Sequence, residues 1–219
     1  MYDEDYFLEF YSNVRLQMNS LADRVSLKIN KSPASLRWTD FKSYFSDKYD
    51  IDYIEYPFKS SLRKRLSGSI KIAGDCAIIG YNGNMSPNRQ RFSQAHETGH
   101  FFDSLVLNTG ESQQFEDLLE KNYGESNLPD EWFANISAGM MLVEESGLLY
   151  SLRQGISFQS LCNLYSVSNT CLNIRLKQLL QFGYQVNSYY AYEAVTKYRL
   201  SNDNSDLLDC LSRIESYVM

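Results

Sequence analysis

The sequence lacks any pair of closely spaced cysteines. Its four cysteines are scattered along 219 residues and form no CxxC pair. Zinc sites built from thiolates normally use such pairs, so a cysteine-rich zinc site is not supported. In a reducing compartment the cysteines would remain thiols, and we expect them to be small core residues. They are Cys76, Cys162, Cys171 and Cys210.

The sequence also lacks long apolar runs and an excess of positive charge. No apolar segment approaches the roughly 20 residues that span a bilayer, and the acidic opening from Met1 to Asp5 is unlike a secretory leader. The formal net charge of -6 argues against non-specific binding to nucleic acid or to an anionic membrane. We therefore expect a cytoplasmic protein that has no membrane partner and for which nucleic acid is an unfavoured partner.

The composition indicates a folded chain rather than a disordered one. Hydrophobic residues make up 43% of the sequence and aromatic residues 14%, and this length allows one sizeable core, or one core with a helical annex. Apolar residues at three- and four-residue spacing predict helices over 5–28, 157–165, 168–181 and 205–218. A further helix is expected to be capped by Ser35 and to carry the aromatic residues up to position 45, and a short one is expected over 113–123.

Runs of β-forming residues predict three strands, over 51–58, 68–73 and 76–81. Pro57 should end the first strand, and Gly74 with Asp75 suits a tight hairpin turn between the other two. The sequence therefore predicts an α+β fold that is mainly helical, with a small, mostly antiparallel sheet. Along the chain we expect an N-terminal helical layer at 1–50, a core at 51–145 and a C-terminal helical segment at 146–219.

The most informative motif surrounds the only two histidines of the chain, His96 and His100. They stand four residues apart, and Glu97 follows the first of them, which makes an HExxH pattern. On a helix, two imidazoles at this spacing project from the same face and can hold one ion, while the glutamate can reach a water bound to it. The alternative is a helix that carries two surface histidines by chance.

The residues around this motif favour a well-defined helix. Ser86 can cap its first turn, and Pro87 suits the first helical position. Gly99 is a poor helix former that costs about 1 kcal/mol relative to alanine. A residue without a side chain at that position indicates that a neighbouring strand or a substrate approaches the helix closely.

A second helix is predicted after Pro129, and Glu131 lies in its first turn. Glu131, Ala134, Asn135, Ala138 and Met141 share one face of this helix. The small residues on that face would let it lie close to the HExxH helix, so that Glu131 could offer a third ligand to the ion. Two histidines and one carboxylate with water in the fourth position make a catalytic zinc site. On spacing alone, Glu131 is equally well explained as an acidic residue favoured at a helix start.

Three segments resemble the ImmA/IrrE metallopeptidases of bacteria and their mobile elements. Residues 91–100, which read Arg-Phe-Ser-Gln-Ala-His-Glu-Thr-Gly-His, are similar to that family's Arg-Phe-Thr-x-Ala-His-Glu-x-Gly-His. Glu131-x-x-Ala134-Asn135-x-x-Ala138 is similar to its Glu-x-x-Ala-Asn-x-Phe-Ala helix. Tyr-Ser-Val-Ser at 165–168 with Arg-Leu at 175–176 resembles a C-terminal helix-turn-helix-like segment.

The resemblance implies a zincin-like core in which His96, His100 and Glu131 bind zinc and Glu97 is the general base. It also implies a protein substrate, a helix-turn-helix repressor that family members cleave or help to inactivate. The chain departs from the family pattern at two positions of this second helix. Ser137 stands where the family usually has phenylalanine, and no proline closes that helix after residue 143.

The function expected from the residues and the resemblance together is a zinc-dependent endopeptidase that cleaves or inactivates a repressor. Glu97 would activate a zinc-bound water as general base. The alternative is a regulatory protein that binds zinc and sequesters the repressor without cutting it. A DNA-binding role for the C-terminal segment is disfavoured because its second helix carries only two basic residues, Arg175 and Lys177.

Overall fold

A computed structural model describes residues 4–56, 66–73, 76–107, 114–118 and 128–215. Within these residues it contains nine α-helices and four strands. The predicted α+β fold, mainly helical with a small sheet and C-terminal helices, is confirmed. Of the helices in the described ranges, none combines the length and the apolar character that crossing a membrane requires.

The chain divides into two compact units. One comprises residues 1–36 and 143–219, and the other comprises residues 37–142. The grouping differs from the three consecutive segments expected along the sequence, because the first helix belongs to the same unit as the last third of the chain. The three-segment division therefore remains a prediction.

The unit of residues 37–142 contains one four-stranded sheet with the order β1-β3-β2-β4. β1 pairs with β3 in parallel, whereas β2 pairs with β3 and with β4 in antiparallel fashion, so the sheet is mostly antiparallel as predicted. The strands are β1 (Ile51–Tyr56), β2 (Leu66–Ala73), β3 (Cys76–Asn82) and β4 (Gln114–Leu118).

The three predicted strands are confirmed as β1, β2 and β3 within the described residues. Pro57, predicted to end the first strand, and the Gly74-Asp75 turn lie outside them. The helix predicted over 113–123 is wrong at Gln114–Leu118, which form β4. Their pairing with β2 places Phe115 opposite Ile70 and Asp117 opposite Gly68. Backbone pairing to a neighbouring strand has overridden the local helix preference of glutamate and leucine in this segment.

Three helices accompany the sheet: α2 (Trp38–Tyr49), α3 (Pro87–Leu107) and α4 (Leu128–Leu142). The predicted cap at Ser35 is wrong. Residues Pro33–Ser35 form a separate 3-10 turn, and α2 begins three residues later. There the backbone N–H of Arg37 donates to Oδ2 of Asp40 over 2.8 Å, so the Asp40 carboxylate takes up one backbone donor at the start of α2.

The core of this unit lies between the sheet and α3. Buried and exposed side chains alternate over residues 70–73 of β2 and 76–79 of β3, and the buried face of these strands packs against α3. Phe45 of α2 lies with its ring centroid 6.3 Å from that of Phe101 and 6.2 Å from that of Phe102, in edge-to-face geometry with both rings of α3. Each such pair stabilises by about 0.5–1.5 kcal/mol beyond the area that it buries. The buried sheet residues are Ile70, Ile72, Ala77 and Ile79.

The other unit contains the first helix and the last five. They are α1 (Glu4–Ile29), α5 (Glu145–Arg153), α6 (Phe158–Tyr165), α7 (Asn169–Gln178), α8 (Ser188–Ser201) and α9 (Ser205–Glu215). The Ser157 side chain caps α6 and the Ser168 side chain caps α7, each by accepting from a backbone N–H. The helices predicted in this region are therefore present, and α7 continues into one π-helical turn, Leu179–Gly183.

A buried arginine links α7 to the first helix of this unit. Arg175 is 1% exposed and donates to the Tyr11 hydroxyl over 3.0 Å and to a Glu145 carboxylate oxygen over 3.2 Å. Arg15 holds the same carboxylate through its Nε and Nη2 atoms. Arg175, one of the two basic residues considered for phosphate contact, is therefore buried and does not face solvent.

The cysteines differ from one another in burial. Cys162 is buried, Cys171 and Cys210 are partly exposed, and Cys76 is exposed at the start of β3. The expectation of four core residues is therefore wrong for Cys76, because the outward side of β3 faces solvent.

Candidate metal centre

The HExxH segment lies in the middle of α3, where the helix is well supported. Pro87 is the first helical residue, and the Ser86 hydroxyl accepts from the backbone N–H of Arg89 over 3.4 Å, as the capping prediction requires. Tyr53 of β1 adds a hydrogen bond between its hydroxyl and that of Thr98, over 2.9 Å. These contacts fix the rotation of α3 and therefore the direction in which its histidines point.

His96 and His100 point to one place. Their Nε2 atoms lie 3.2 Å apart, and their rings meet edge to face with centroids 4.8 Å apart. Both side chains are almost fully buried, with 1% of His96 and 2% of His100 exposed. This is the arrangement expected when residues one helical turn apart share a ligand.

Glu131 of α4 completes the group. Its Oε2 atom lies 3.5 Å from Nε2 of His96, and its Oε1 atom lies 3.5 Å from Nε2 of His100. α4 comes this near because Gly99 of α3 faces the backbone of Ala134, one turn after Glu131. The close neighbour of Gly99 is thus a helix, not the strand or substrate expected from the sequence.

The spacing of the three groups fits a divalent metal. Ligands about 2.0–2.1 Å from a tetrahedral ion are separated from one another by roughly 3.3–3.5 Å, and the three measured separations are 3.2, 3.5 and 3.5 Å. All ligand atoms lie within 4.8 Å of one another. In the part of the chain that the structure describes, no other group of His, Cys, Asp and Glu side chains meets this condition.

The protonation of the group also suits a metal. Burial lowers the pKa of His100, with a smaller contribution from His96, so its imidazole is neutral near pH 7 and able to bind a cation. Burial alone would raise the pKa of Glu131, but hydrogen bonds from the two histidines outweigh it and lower this pKa to about 2. The Glu131 carboxylate is therefore ionised near pH 7, and an ionised carboxylate beside a neutral imidazole is the form in which these groups bind a metal ion.

Glu97 does not belong to the three converging groups. It follows His96 directly on α3, is fully buried, and turns its carboxylate towards β2. There it lies beside Gly68, at a point where the strand has no side chain. The structure therefore brings the three predicted ligands together and places the predicted base next to them along the helix, against the sheet.

Comparison with protein families explains this arrangement. The model of the IrrE N-terminal-like domain, an M78 peptidase family, matches residues 46–177, which is more than half of the chain. The chain belongs to this family. No curated protein matches the sequence. The family match confirms the resemblance stated above and supports a metallopeptidase role for the M78 domain.

The matched range of the M78 domain includes all four residues predicted for the site, and it extends from α2 into α7. Membership in a metallopeptidase family implies a metal, and the His96, His100 and Glu131 group is able to hold one. The assignment of these side chains as zinc ligands, and of Glu97 as the base, remains a prediction.

One acidic residue beside the site, Asp103, was not singled out from the sequence. Asp103 lies three residues after His100 on α3, and Asp130 precedes Glu131 on α4. Burial, with a smaller contribution from the charge of Asp130, raises the pKa of Asp103 to about 7. The available signal was the i, i+3 spacing from His100, but that spacing alone does not distinguish a buried acid from a surface one.

An aromatic side chain also borders the centre. The Phe92 ring stacks on the His96 ring with centroids 6.1 Å apart. The Arg89 guanidinium lies over the same Phe92 ring, 5.3 Å from its centroid. Phe92 and His96 are four residues apart on α3, a spacing at which side chains on one helix face meet.

Proposed function

We propose that this M78 domain is a zinc-dependent endopeptidase. The observation that carries the proposal is the convergence of His96, His100 and Glu131 within 4.8 Å. Two imidazoles and one carboxylate form the donor set of catalytic zinc sites, which keep a fourth position open, whereas structural sites use four protein ligands. No fourth His, Cys, Asp or Glu joins the three within the described ranges, which favours the catalytic kind of site.

The proposed mechanism assigns a separate role to each part of the site. A bound zinc ion would supply Lewis-acid chemistry, because it lowers the pKa of water at its open position towards about 7 and polarises a carbonyl. His96, His100 and Glu131 would hold the ion through neutral imidazoles and an ionised carboxylate. Glu97 would accept the proton of the attacking water and pass it to the amine leaving group, a step typically worth roughly 10²- to 10⁴-fold.

The substrate that we propose is a helix-turn-helix repressor, as the ImmA/IrrE resemblance implies. The charge of the chain supports an encounter with such a protein. A repressor needs a basic surface to bind DNA phosphates, and this chain has a formal net charge of -6. Attraction between an acidic protein and a basic surface raises the rate of association and makes that rate fall with added salt.

The test combines metal content with cleavage. Wild-type protein and the Glu97→Gln variant are loaded with zinc, and the number of zinc ions bound per chain is measured by native mass spectrometry. Each is then incubated with a native bacterial lysate, and new protein N-termini are identified. We expect one zinc per chain in both proteins, with new N-termini in helix-turn-helix proteins only in the wild-type sample and none when a chelator is present.

Each alternative result changes a different part of the proposal. Equal cleavage by Glu97→Gln would remove Glu97 from the role of base. New N-termini confined to other protein classes would keep the endopeptidase and discard the repressor. Absence of metal from the wild-type protein would remove the zinc site altogether.

A second function, sequestration of a repressor without cleavage, is favoured by one observation. The three ligand side chains are only 1%, 2% and 6% exposed, so the centre offers little surface to a substrate. In that case zinc would stabilise the fold, and the lysate experiment would give no new N-termini although the wild-type protein binds zinc. A repressor retained by both the wild-type and Glu97→Gln proteins would then complete the case for sequestration.

A further inference from the structure

We propose that Gly68 of β2 is a positioning residue for Glu97. In this view the missing side chain at Gly68 determines where the Glu97 carboxylate lies, and thus whether it can meet the attacking water. The inference rests on the proposed role of Glu97 as general base. It concerns a different residue from the metal ligands, on a different element of the fold.

The contact between the two residues leaves no room for a side chain. A Cβ atom on Gly68 would lie 2.9 Å from Oε1 and 3.3 Å from Cγ of Glu97. It would also lie 3.3 Å from Cβ of Ser93, which precedes Glu97 by one helical turn. Glu97 is fully buried, so its carboxylate has no solvent into which it can swing. Any side chain at position 68 would therefore displace the carboxylate along the β2 surface.

The strand is held firmly at this point. β2 carries a bulge between Leu66 and Gly68, where Ser67 has no partner on β4. The buried Ser67 hydroxyl accepts from Nε of Arg89 over 3.2 Å and from Nη2 of Arg89 over 2.7 Å. The Nδ2 atom of Asn82 donates to the Leu66 carbonyl over 2.9 Å. Since both residues before Gly68 are anchored, β2 cannot easily withdraw from an added methyl group.

Bulges are frequent beside active sites because they bend a strand and change the direction of nearby groups. Here the bulge brings the β2 backbone against Glu97. Glycine is suited to such a close approach because it has no Cβ atom. Gly80 of β3 shows what an ordinary strand glycine looks like. A Cβ atom there would lie 3.5 Å from the nearest atom, the Ser69 hydroxyl oxygen, which is a normal van der Waals distance.

A side chain at position 68 should lower the rate of the reaction and leave metal binding unchanged. The atoms nearest to a Cβ at position 68 belong to Glu97 and Ser93, not to the metal ligands. The distance between a Cβ atom at position 68 and Oε1 of Glu97 would have to grow from 2.9 Å to that of an ordinary carbon–oxygen contact, which displaces the carboxylate by about half an ångström. Misplacements of this order reduce rates by about tenfold to hundredfold. We therefore expect Gly68→Ala to lower kcat by that factor while KM and zinc content stay unchanged.

The first experiment compares Gly68→Ala with Gly80→Ala, the same substitution in the same sheet without the close contact. Both proteins are assayed on a library of internally quenched peptides, and bound zinc is measured in parallel. Gly80→Ala should match the wild type. Equal losses of kcat in the two variants would overturn the proposal, because the effect would then come from the sheet in general. An undiminished kcat in Gly68→Ala would overturn it as well.

The second experiment needs neither metal nor activity. Urea unfolding midpoints are measured for the metal-free wild type, Gly68→Ala, Glu97→Ala and the double variant. Gly68→Ala should lower the midpoint more when Glu97 is present than when residue 97 is alanine, because only the 3.3 Å contact with Cβ of Ser93 then remains. An equal decrease in both backgrounds would show that the methyl group strikes something other than Glu97 and would overturn the proposal.

The two experiments distinguish this inference from the proposed function. If the wild type cleaves no peptide, the endopeptidase proposal fails, and the unfolding cycle alone decides whether Gly68 controls the position of Glu97. If Gly68→Ala does not fold, folding of the double variant supports the contact, and failure of both variants to fold overturns it. Addition of Glu97→Asp to Gly68→Ala gives a final check, because the shorter side chain should cost less activity there than in the wild type.

Discussion

Gly99 of α3 touches the backbone of Ala134 on α4. A Cβ atom on Gly99 would lie 2.9 Å from Cα and 3.0 Å from the carbonyl oxygen of Ala134. Neither atom belongs to a side chain that can rotate away, so the two helices lie as close as their backbones allow. This contact sets the distance between the histidines on α3 and Glu131 on α4.

Gly99→Ala should therefore weaken both the fold and the metal centre. Overpacking of this kind typically costs about 1–3 kcal/mol, and separation of the helices would withdraw Glu131 from the histidines. We expect a lower urea midpoint for the metal-free protein and at least a tenfold weaker zinc affinity in competition with a chromophoric chelator. Gly80→Ala is the control, since a Cβ there makes only ordinary contacts. Unchanged zinc affinity in Gly99→Ala would show that this contact does not set the distance between Glu131 and the histidines.

Glu131 and Asp130 provide a matched pair for testing the third ligand. Both are acidic residues in the first turn of α4, but only Glu131 converges with the histidines. Glu131→Gln should weaken zinc binding by about a hundredfold or more, because it removes a charged ligand from the buried centre. Asp130→Asn should change it much less. Similar affinities for the two variants would return Glu131 to the role of an ordinary helix-start residue.

The sequence was most informative where local chemistry determines structure. Ser86 and Pro87 predicted the start of α3, and the spacing of His96 and His100 predicted that their side chains would meet. Both depend on residues within a few positions of one another. The predictions about single helices and strands were therefore largely correct, and the three strands β1, β2 and β3 were recognised by their β-branched and aromatic residues.

The sequence was least informative where distant segments decide the outcome. Gln114–Leu118 contains residues that favour helix, but pairing with β2 makes it a strand. Arg175 was considered as a surface base, but Tyr11 and Glu145 enclose it from segments far apart in the chain. The approach of β2 to Glu97 likewise depends on tertiary packing. Spacing within the sequence carries no information about such contacts.

Asp103 should make the stability of the metal-free protein depend on pH. Its pKa is raised from 3.8 to about 7 by burial and by the charge of Asp130, so between these values the folded state binds more protons than the unfolded state. Stability therefore falls as pH rises from about 4 to 7 and stays low above it. Because Asp103 is partly exposed, the loss should be on the order of 1–2 kcal/mol rather than the full value of the shift.

The measurement is urea unfolding of metal-free protein at pH 5 and pH 8. Asp103→Asn should be more stable than the wild type at pH 8, with the difference shrinking towards pH 5. Asp130→Asn serves as a partial control, because it removes only the smaller cause of the shift and should reduce the pH dependence without abolishing it. If the difference in stability between the wild type and Asp103→Asn were the same at both pH values, this account of Asp103 would be contradicted.

Arg175 should contribute to stability far more than the neighbouring base Lys177. Arg175 donates to Tyr11, to Glu145 and, over 3.3 Å, to the carbonyl of Val143, all within the unit that it occupies. Arg175→Ala would leave these buried acceptors without their donor, and breaking a buried ion pair in this way typically costs about 3–5 kcal/mol. Arg15 keeps its own bond to Glu145, so the cost should lie at the lower end of that range.

Lys177 is a suitable control because it lies two residues away on the same helix and is only partly buried. Its Nζ atom sits 4.3 Å from the Tyr192 ring centroid, a contact worth about 0.5–1 kcal/mol at an exposed site. Lys177→Ala should therefore lower the free energy of unfolding by no more than that amount. If Arg175→Ala and Lys177→Ala proved equally mild in urea unfolding, Arg175 would not hold α7 against α1.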